Sequence, residues 1–184
     1  MTTEAVKALA SPGAGGPLAA DRSGSGNADV SQFISFAIGD DQYGVDIMAV
    51  REIKGWSQIA RLPRQPDYMR GVLNLRGVMV PIIDLRCRFG QGTTEATPLH
   101  VVIVVQIGAS HVGLLADRVL DIVAANASQI QPVPRIAQSS RVDFLSGLVT
   151  IESGMIALID LSHILSVSIG EGAEIVPAGV QSAA

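Results

Sequence analysis

Several features that mark other protein classes are scarce in this chain of 184 residues. It has one cysteine, Cys87, so no internal disulfide can form and a reducing compartment is expected. Aromatic residues make up only 4%, so the core must be built from Val, Ile, Leu and Ala. No segment concentrates Lys or Arg, and the net charge is -4. Both facts argue against a nucleic-acid-binding protein.

Long apolar segments are also missing. Uninterrupted apolar runs such as Val101–Val105 are far shorter than the roughly 20 residues of a membrane-spanning helix. The first residues lack the charged start and apolar run of a signal peptide. A soluble cytoplasmic protein is therefore expected. Residues 1–30 and 168–184, rich in Ala, Gly, Ser and Pro, are predicted to be flexible tails around a folded domain at 31–167.

Short apolar runs separated by turn residues indicate β-hairpins in the middle of the chain. Three are predicted: FISFAIG with YGVDI, HVVIVVQIG with HVGLLAD, and LSGLVTI with MIALIDL. Helical patterns are few and short, at Ile47–Glu52, Leu85–Phe89 and Leu161–Leu165. Many closely spaced short strands predict an all-β fold, either barrels or a sandwich.

An internal repeat divides the domain into two similar units. GVLNLRGVMVPIIDL from Gly71 aligns without gaps on GLVTIESGMIALIDL from Gly147. The hairpin from Ile34 aligns in the same way on the hairpin from Ile103, and Glu52 then faces Asp121. Each unit of about 65 residues is small for independent stability, so the two units are predicted to share a core.

Candidate catalytic groups have simpler structural interpretations. Asp84 and Asp160 each follow a strand and precede a helical pattern, where an aspartate caps the first turn. His100, His111 and His163 have no metal-ligand spacing and no cysteine cluster beside them. No catalytic residue, metal site or cofactor is therefore predicted. An enzyme that uses Asp84 or Cys87 remains an alternative.

Two further segments admit both a structural and a functional interpretation. RLPRQP, residues 61–66, has the spacing of a proline-rich ligand for an SH3 groove, but a rigid linker is preferred. Arg76 precedes Gly77 and is predicted to sit at a hairpin tip. The aligned residue in the second unit is Glu152, so the fold itself does not require arginine there. A charge beside the apolar Met79 is typical of protein interfaces.

From about Gln32 to Leu165 the chain resembles the CheW family of bacterial chemotaxis coupling proteins. The resemblance rests on NLRGVMVPIIDLR, with support from FAIGDDQYGVDIMAVREI, RLPRQPDYMRGV, VGLLADRVLDIV and SQIQPVP. It implies two tandem SH3-like five-stranded β-barrels that share a core, roughly residues 31–95 and 96–167. It also implies a non-catalytic adaptor at the membrane-associated chemoreceptor array, bound to the cytoplasmic tips of methyl-accepting chemoreceptors and to the regulatory domain of the histidine kinase CheA.

The resemblance assigns residues to two surfaces. It implies an ion pair between Arg76 and Glu52 beside a receptor groove. Gly71 is expected to let a partner backbone approach closely or to hold a bulge, and a side chain there is expected to block binding while leaving the fold intact. An adaptor for another chemosensory pathway, such as pilus motility or development, is the alternative. The implied receptor-binding residues are Val50, Glu52, Gly71, Arg76, Met79 and Ile122, and the implied kinase-binding residues are Ile53, Val101, Gln131 and Ile136.

Overall fold

The computed structural model describes residues 30–134 and 142–166. The predicted tails lie outside these ranges except for Val30, which begins the first strand. Two short helices, α1 (Leu85–Arg88) and α2 (Leu161–Ser166), and three 3₁₀ turns accompany the strands. The eleven strands are β1 (Val30–Ile38), β2 (Asp41–Asp46), β3 (Val50–Gly55), β4 (Met69–Leu75), β5 (Val78–Asp84), β6 (Val101–Ile107), β7 (Ser110–Ala116), β8 (Arg118–Asn126), β9 (Ile130–Gln131), β10 (Leu145–Ile151) and β11 (Gly154–Ile159).

Most predicted elements are confirmed. The three hairpins are β1–β2, β6–β7 and β10–β11, and the helical patterns after Asp84 and Asp160 form α1 and α2. The helix predicted at Ile47–Glu52 is wrong. Only Ile47–Ala49 turn helically, capped by Asp46, and β3 begins at Val50. Pairing of β3 with β6 outweighs the weak helical preference of so short a segment.

The strands form two sheets that each draw on both halves of the chain. Barrel A has the order β8-β1-β2-β11-β10-β9, and barrel B has the order β3-β6-β7-β5-β4. Parallel pairs, β2 with β11 and β5 with β7, join strands from different hairpins. The two-residue β9 is the sixth strand of barrel A, and its counterpart in barrel B is a single bridge between Ala60 and Val72. Strands from both sides of residue 95 enter each barrel. The predicted boundary between two subdomains near this residue stays a prediction.

The two barrels share a core, as the small size of each unit predicts. A central cluster combines buried side chains of both sheets, among them Phe36, Val45, Ile103, Leu114 and Ile159. Each barrel also has its own smaller interior. That of barrel B contains Leu73, Val80, Ile82, Val102, Val104 and Leu115, and that of barrel A contains Phe33, Ala125, Val149, Ile156 and Leu158.

Matching glycines of the repeat sit where the barrel interiors leave no room for a side chain. A Cβ at Gly113 would lie 2.4 Å from Ile82 Cδ1, and one at Gly44 would lie 3.0 Å from Ile156 and Leu158. Both contacts are tighter than side chains normally tolerate. The shared glycines therefore reflect the same packing in both barrels.

Candidate functional site

A tight turn fixes Arg76 at the tip of the β4–β5 hairpin. Arg76 and Gly77 have φ angles of 52° and 90°, and Leu75 pairs with Val78. Positive φ at both central residues is the type I′ geometry, whose twist matches that of paired strands. The Gly77 N–H also donates to Asn74 Oδ1 at 2.8 Å. The sequence Asn-Leu-Arg-Gly therefore encodes a rigid tip.

The predicted ion pair of Arg76 with Glu52 is present. Arg76 Nη2 lies 3.8 Å from Glu52 Oε2, with 88% of the arginine side chain and 36% of the glutamate side chain exposed. Glu52 belongs to β3, at the opposite end of the sheet from the β5–β4 hairpin. The contact therefore joins the two ends of the curled sheet at the mouth of barrel B. An exposed pair of this kind adds little stability, typically below about 1 kcal/mol.

Beside the ion pair, the mouth of barrel B opens into a cleft. Its volume is about 280 Å³, with Leu75, Val78, Val80 and Val104 along its wall and Arg51 and His111 completing the lining. Arg51 Nε donates to Gln106 Oε1 at 2.7 Å, which holds this arginine against β6. Sequence reasoning missed Arg51 and His111, because their approach to the cleft depends on pairing between β3, β6 and β7. The site offers apolar wall atoms below a charged rim.

The other predicted receptor-binding residues differ in exposure. Met79 and Ile122 are exposed by 55% and 54%, and Val50 is half-buried. Met79 lies on β5 next to the hairpin tip, whereas Ile122 lies on β8, the edge strand of barrel A. The predicted set therefore spans both barrels.

The receptor-binding role of Gly71 stays a prediction, and the structure shows that this glycine is buried inside the chain's own structure. Its φ is 138°, and a Cβ there would fall within van der Waals overlap of the Ala60 carbonyl carbon at 2.9 Å. Val72 and Ala60 exchange backbone hydrogen bonds of 2.8 and 3.0 Å, which bring that crossing segment close. Any side chain at Gly71 must disturb the fold before it can affect a partner.

Two predicted kinase-binding residues lie together on neighbouring strands. Ile53 faces Ile103 across the β3–β6 pair, and Val101 is two residues from Ile103, on the same face. Ile53 is 41% exposed and Val101 is half-buried. Gln131 is exposed on β9, away from this pair, and Ile136 lies outside the described residues.

Asp84 and Asp160 act as helix caps, as predicted. Asp84 is fully buried, and its oxygens accept from Cys87 N at 3.2 Å, Thr94 N at 2.8 Å and Thr94 Oγ1 at 2.7 Å. Asp160 Oδ1 accepts from Ser162 N at 2.9 Å. Burial, with the nearby Asp84 charge, raises the pKa of the Cys87 thiol. That shift disfavours the thiolate and argues against Cys87 as a nucleophile.

The described ranges contain neither a cluster of metal-ligating side chains nor a membrane-spanning helix. Among residues 30–134 and 142–166, no group of His, Cys, Asp and Glu side chains could hold a metal ion. Within that part of the chain, no helix has the length and apolar character needed to span a membrane.

Comparisons with known proteins agree on one family. A model of the CheW-like domain matches residues 32–168. A probable chemotaxis protein CheW of Rhizobium etli is 43% identical over 142 residues, covering 77% of this chain and 92% of that protein. The chemotaxis protein CheW of Klebsiella aerogenes is 41% identical over 135 residues, covering 73% of this chain and 81% of that protein.

A solved structure is similar in fold as well as in sequence. The crystal structure of the scaffolding protein TtCheW from Thermoanaerobacter tengcongensis gives a TM-score of 0.69 at 29% identity. The match covers 79% of this chain and 92% of that one. Tandem SH3-like barrels are therefore common to both proteins. From the extent of these matches it follows that the chain belongs to the CheW family and serves as a chemotaxis adaptor.

Proposed function

We propose that the protein couples the cytoplasmic tips of methyl-accepting chemoreceptors to the histidine kinase CheA, and that the receptor docks at the mouth of barrel B. The support is the combination of a rigid tip, an apolar cleft and a charged rim around Arg76. A partner that brings an apolar side chain to this cleft loses little entropy, because the site is already ordered. The Glu52–Arg76 pair then sets the register of docking and disfavours partners with the wrong charges.

The kinase would contact the face of β3 and β6 opposite to Glu52, through Ile53 on β3 and Val101 on β6. Adjacent residues of a strand point to opposite faces, so Glu52 and Ile53 serve different surfaces. Glu52 pairs in register with Val104 of the barrel B interior, and Ile53 pairs with Ile103 of the shared core. This alternation is the observation that carries the proposal, because an adaptor must hold two partners at once on separate surfaces. Gln131 on barrel A would offer a second kinase contact.

In this role the protein contributes geometry and performs no reaction of its own, at the cytoplasmic face of the receptor array. Of the candidate catalytic groups, Asp84 and Asp160 are engaged in helix capping, and the proposed task is binding alone. Receptor control of the kinase would then result from holding the receptor tip and the kinase regulatory domain in a fixed relation. The protein would transmit a change in the receptor tip because its barrels share one packed core.

Reconstitution tests this function directly. Receptor-bearing membranes, CheA and the protein are mixed, and kinase autophosphorylation is followed with and without attractant. We expect high activity only when the protein is present, and suppression by attractant. Kinase activity that is independent of the added protein would refute the coupling role.

Two matched variants separate the surfaces. Met79→Ala should reduce co-sedimentation with receptors, whereas Met155→Ala, at the aligned and equally exposed position of barrel A, should not. Ile53→Asp should reduce CheA binding and leave receptor co-sedimentation unchanged. Equal receptor loss from Met79→Ala and Met155→Ala would remove the assignment to barrel B.

A further inference from the structure

A second polar site lies where the segment between β3 and β4 crosses the edge of barrel B. Two open clefts flank this crossing, with volumes of about 320 and 280 Å³. Trp56, Gln58 and Ile59 line one cleft, and Gln65, Asp67 and Thr93 are among the residues of the other. Arg61 and Arg70 line both, so the two arginines stand between the clefts.

The two arginines differ in accessibility, since Arg61 is exposed and 16% of the Arg70 side chain is exposed. Among the described residues, the ion pairing of Arg70 is one 3.7 Å contact from Nη1 to Asp84 Oδ2. That oxygen already accepts a shorter bond from Thr94 N at 2.8 Å. Arg61 is exposed and has no ion pair within the described part of the chain. A guanidinium has five N–H donors in a planar fork, so both arginines can bind a carboxylate with two hydrogen bonds.

The surrounding charge favours an anionic partner. Residues 47–116, which contain all strands of barrel B, carry eight Lys and Arg but four Asp and Glu. The remaining described residues, which form barrel A, carry one Lys or Arg and eight Asp and Glu. The clefts therefore lie on the positive end of a strongly polarised molecule, where an acidic segment is attracted and a basic one repelled.

We propose that the paired clefts around Arg61 and Arg70 bind an extended acidic segment of a protein partner. Two clefts that share one arginine pair accommodate two carboxylate side chains of one segment, whereas a single phosphate would fill one cleft only. The half-buried Trp56 ring adds apolar contact for the stem of a glutamate side chain. This site uses none of the residues assigned above to receptor or kinase docking, so its test is independent of the proposed coupling function.

Trp56 provides the readout, because it is the only tryptophan of the chain. The full-length protein is titrated with poly-L-glutamate while tryptophan fluorescence is recorded. A neutral, glutamine-rich peptide serves as the uncharged control ligand. We expect a saturable fluorescence change with poly-L-glutamate alone, weakened by added salt because the contacts are solvent-exposed.

Two arginine variants in the segment between β3 and β4 distinguish specific binding from a general effect of charge. Arg61→Ala should weaken poly-L-glutamate binding by about tenfold, the usual effect of losing a charged hydrogen bond. Arg64→Asn removes the same charge three residues away, at a position that lines neither cleft and has a φ of 59° that asparagine tolerates. It should change binding by less than about twofold if only nonspecific screening is altered. Equal weakening by both variants, or an equal response to inorganic phosphate, would overturn the proposal.

Discussion

The β4–β5 hairpin of barrel B and the β10–β11 hairpin of barrel A share a backbone but differ at their tips. Both have the same register shift after the first residue of the first strand, opposite Ile83 and Ile159, and both lead into a helix that is capped by an aspartate. At the tips, Arg76 pairs with Glu52 in barrel B, whereas the aligned positions of barrel A carry Glu152 and Asp121, two residues of the same sign. The repeat therefore preserves what the fold needs, and the ion pair marks the barrel that carries the proposed receptor site.

The largest expected effect comes from the two aligned glycines at the register shifts. Gly71→Ala should lower the free energy of unfolding by about 3 kcal/mol or more, because it combines backbone strain with overlap of the Ala60 backbone. Gly147→Ala should cost about 1–2 kcal/mol, since its nearest contact is the Ile130 Cγ2 methyl, the Gln131 carbonyl oxygen lies farther away at 3.2 Å, and no positive φ is involved. Urea denaturation of both variants measures the difference, and similar losses would contradict it.

The second-largest expected effect is a difference in stability loss between substitutions of the two capping aspartates. Asp84→Ala should cost about 3 kcal/mol, because it leaves the buried Thr94 N–H and hydroxyl without their acceptor. Asp160→Ala should cost about 1 kcal/mol, the usual value of a partly exposed cap. The two urea midpoints provide the comparison. A larger loss of stability for Asp160→Ala would mean that burial does not determine how much each capping aspartate contributes to stability.

Exchanging the tip charges tests whether the ion pair distinguishes the barrels. Arg76→Glu gives barrel B the charge found in barrel A and should weaken receptor binding by about tenfold, since it places two like charges at the docking surface. Adding Glu52→Arg should restore part of the binding by reversing the pair. Glu152→Arg is the control and should leave receptor binding unchanged. Co-sedimentation with receptor membranes measures all three, and full additivity of the two barrel B changes would exclude a functional pair.

Acid sensitivity is the smallest expected effect. Partial burial raises the pKa of Asp160, but hydrogen bonds from His163 and the Ser162 N–H outweigh it and lower the pKa overall. A lowered folded-state pKa stabilises the protein above the unfolded value of about 3.9, and this contribution is lost as pH falls through the folded pKa. Asp160→Asn should therefore be less stable than the parent near neutrality and approach it in acid. Unfolding free energies between about pH 6 and pH 3 test the convergence.

Local patterns predicted the hairpins, the Asp84 and Asp160 caps and the Arg76 turn, because each depends on neighbouring residues. The helix at Ile47–Glu52 failed for the opposite reason: pairing of β3 with the distant β6 decides its conformation. Gly71 in a strand predicts a bulge or the close approach of another group, and both occur, since the β4–β5 register shifts between Met69 and Gly71. Here the approaching group is the chain's own Ala60.

By itself, the sequence determined the repeated β-unit, the rigid Asn-Leu-Arg-Gly tip and the residues whose resemblance indicated the CheW family. Turn geometry and helix capping are local, so short segments specify them. Only the tertiary structure decided which strands enter which barrel and that Glu52 and Ile53 face different surfaces. It also decided that Arg61 and Arg70 share two clefts. These features depend on pairing between segments far apart in the chain, and many such pairings are compatible with the same apolar strands until packing selects one.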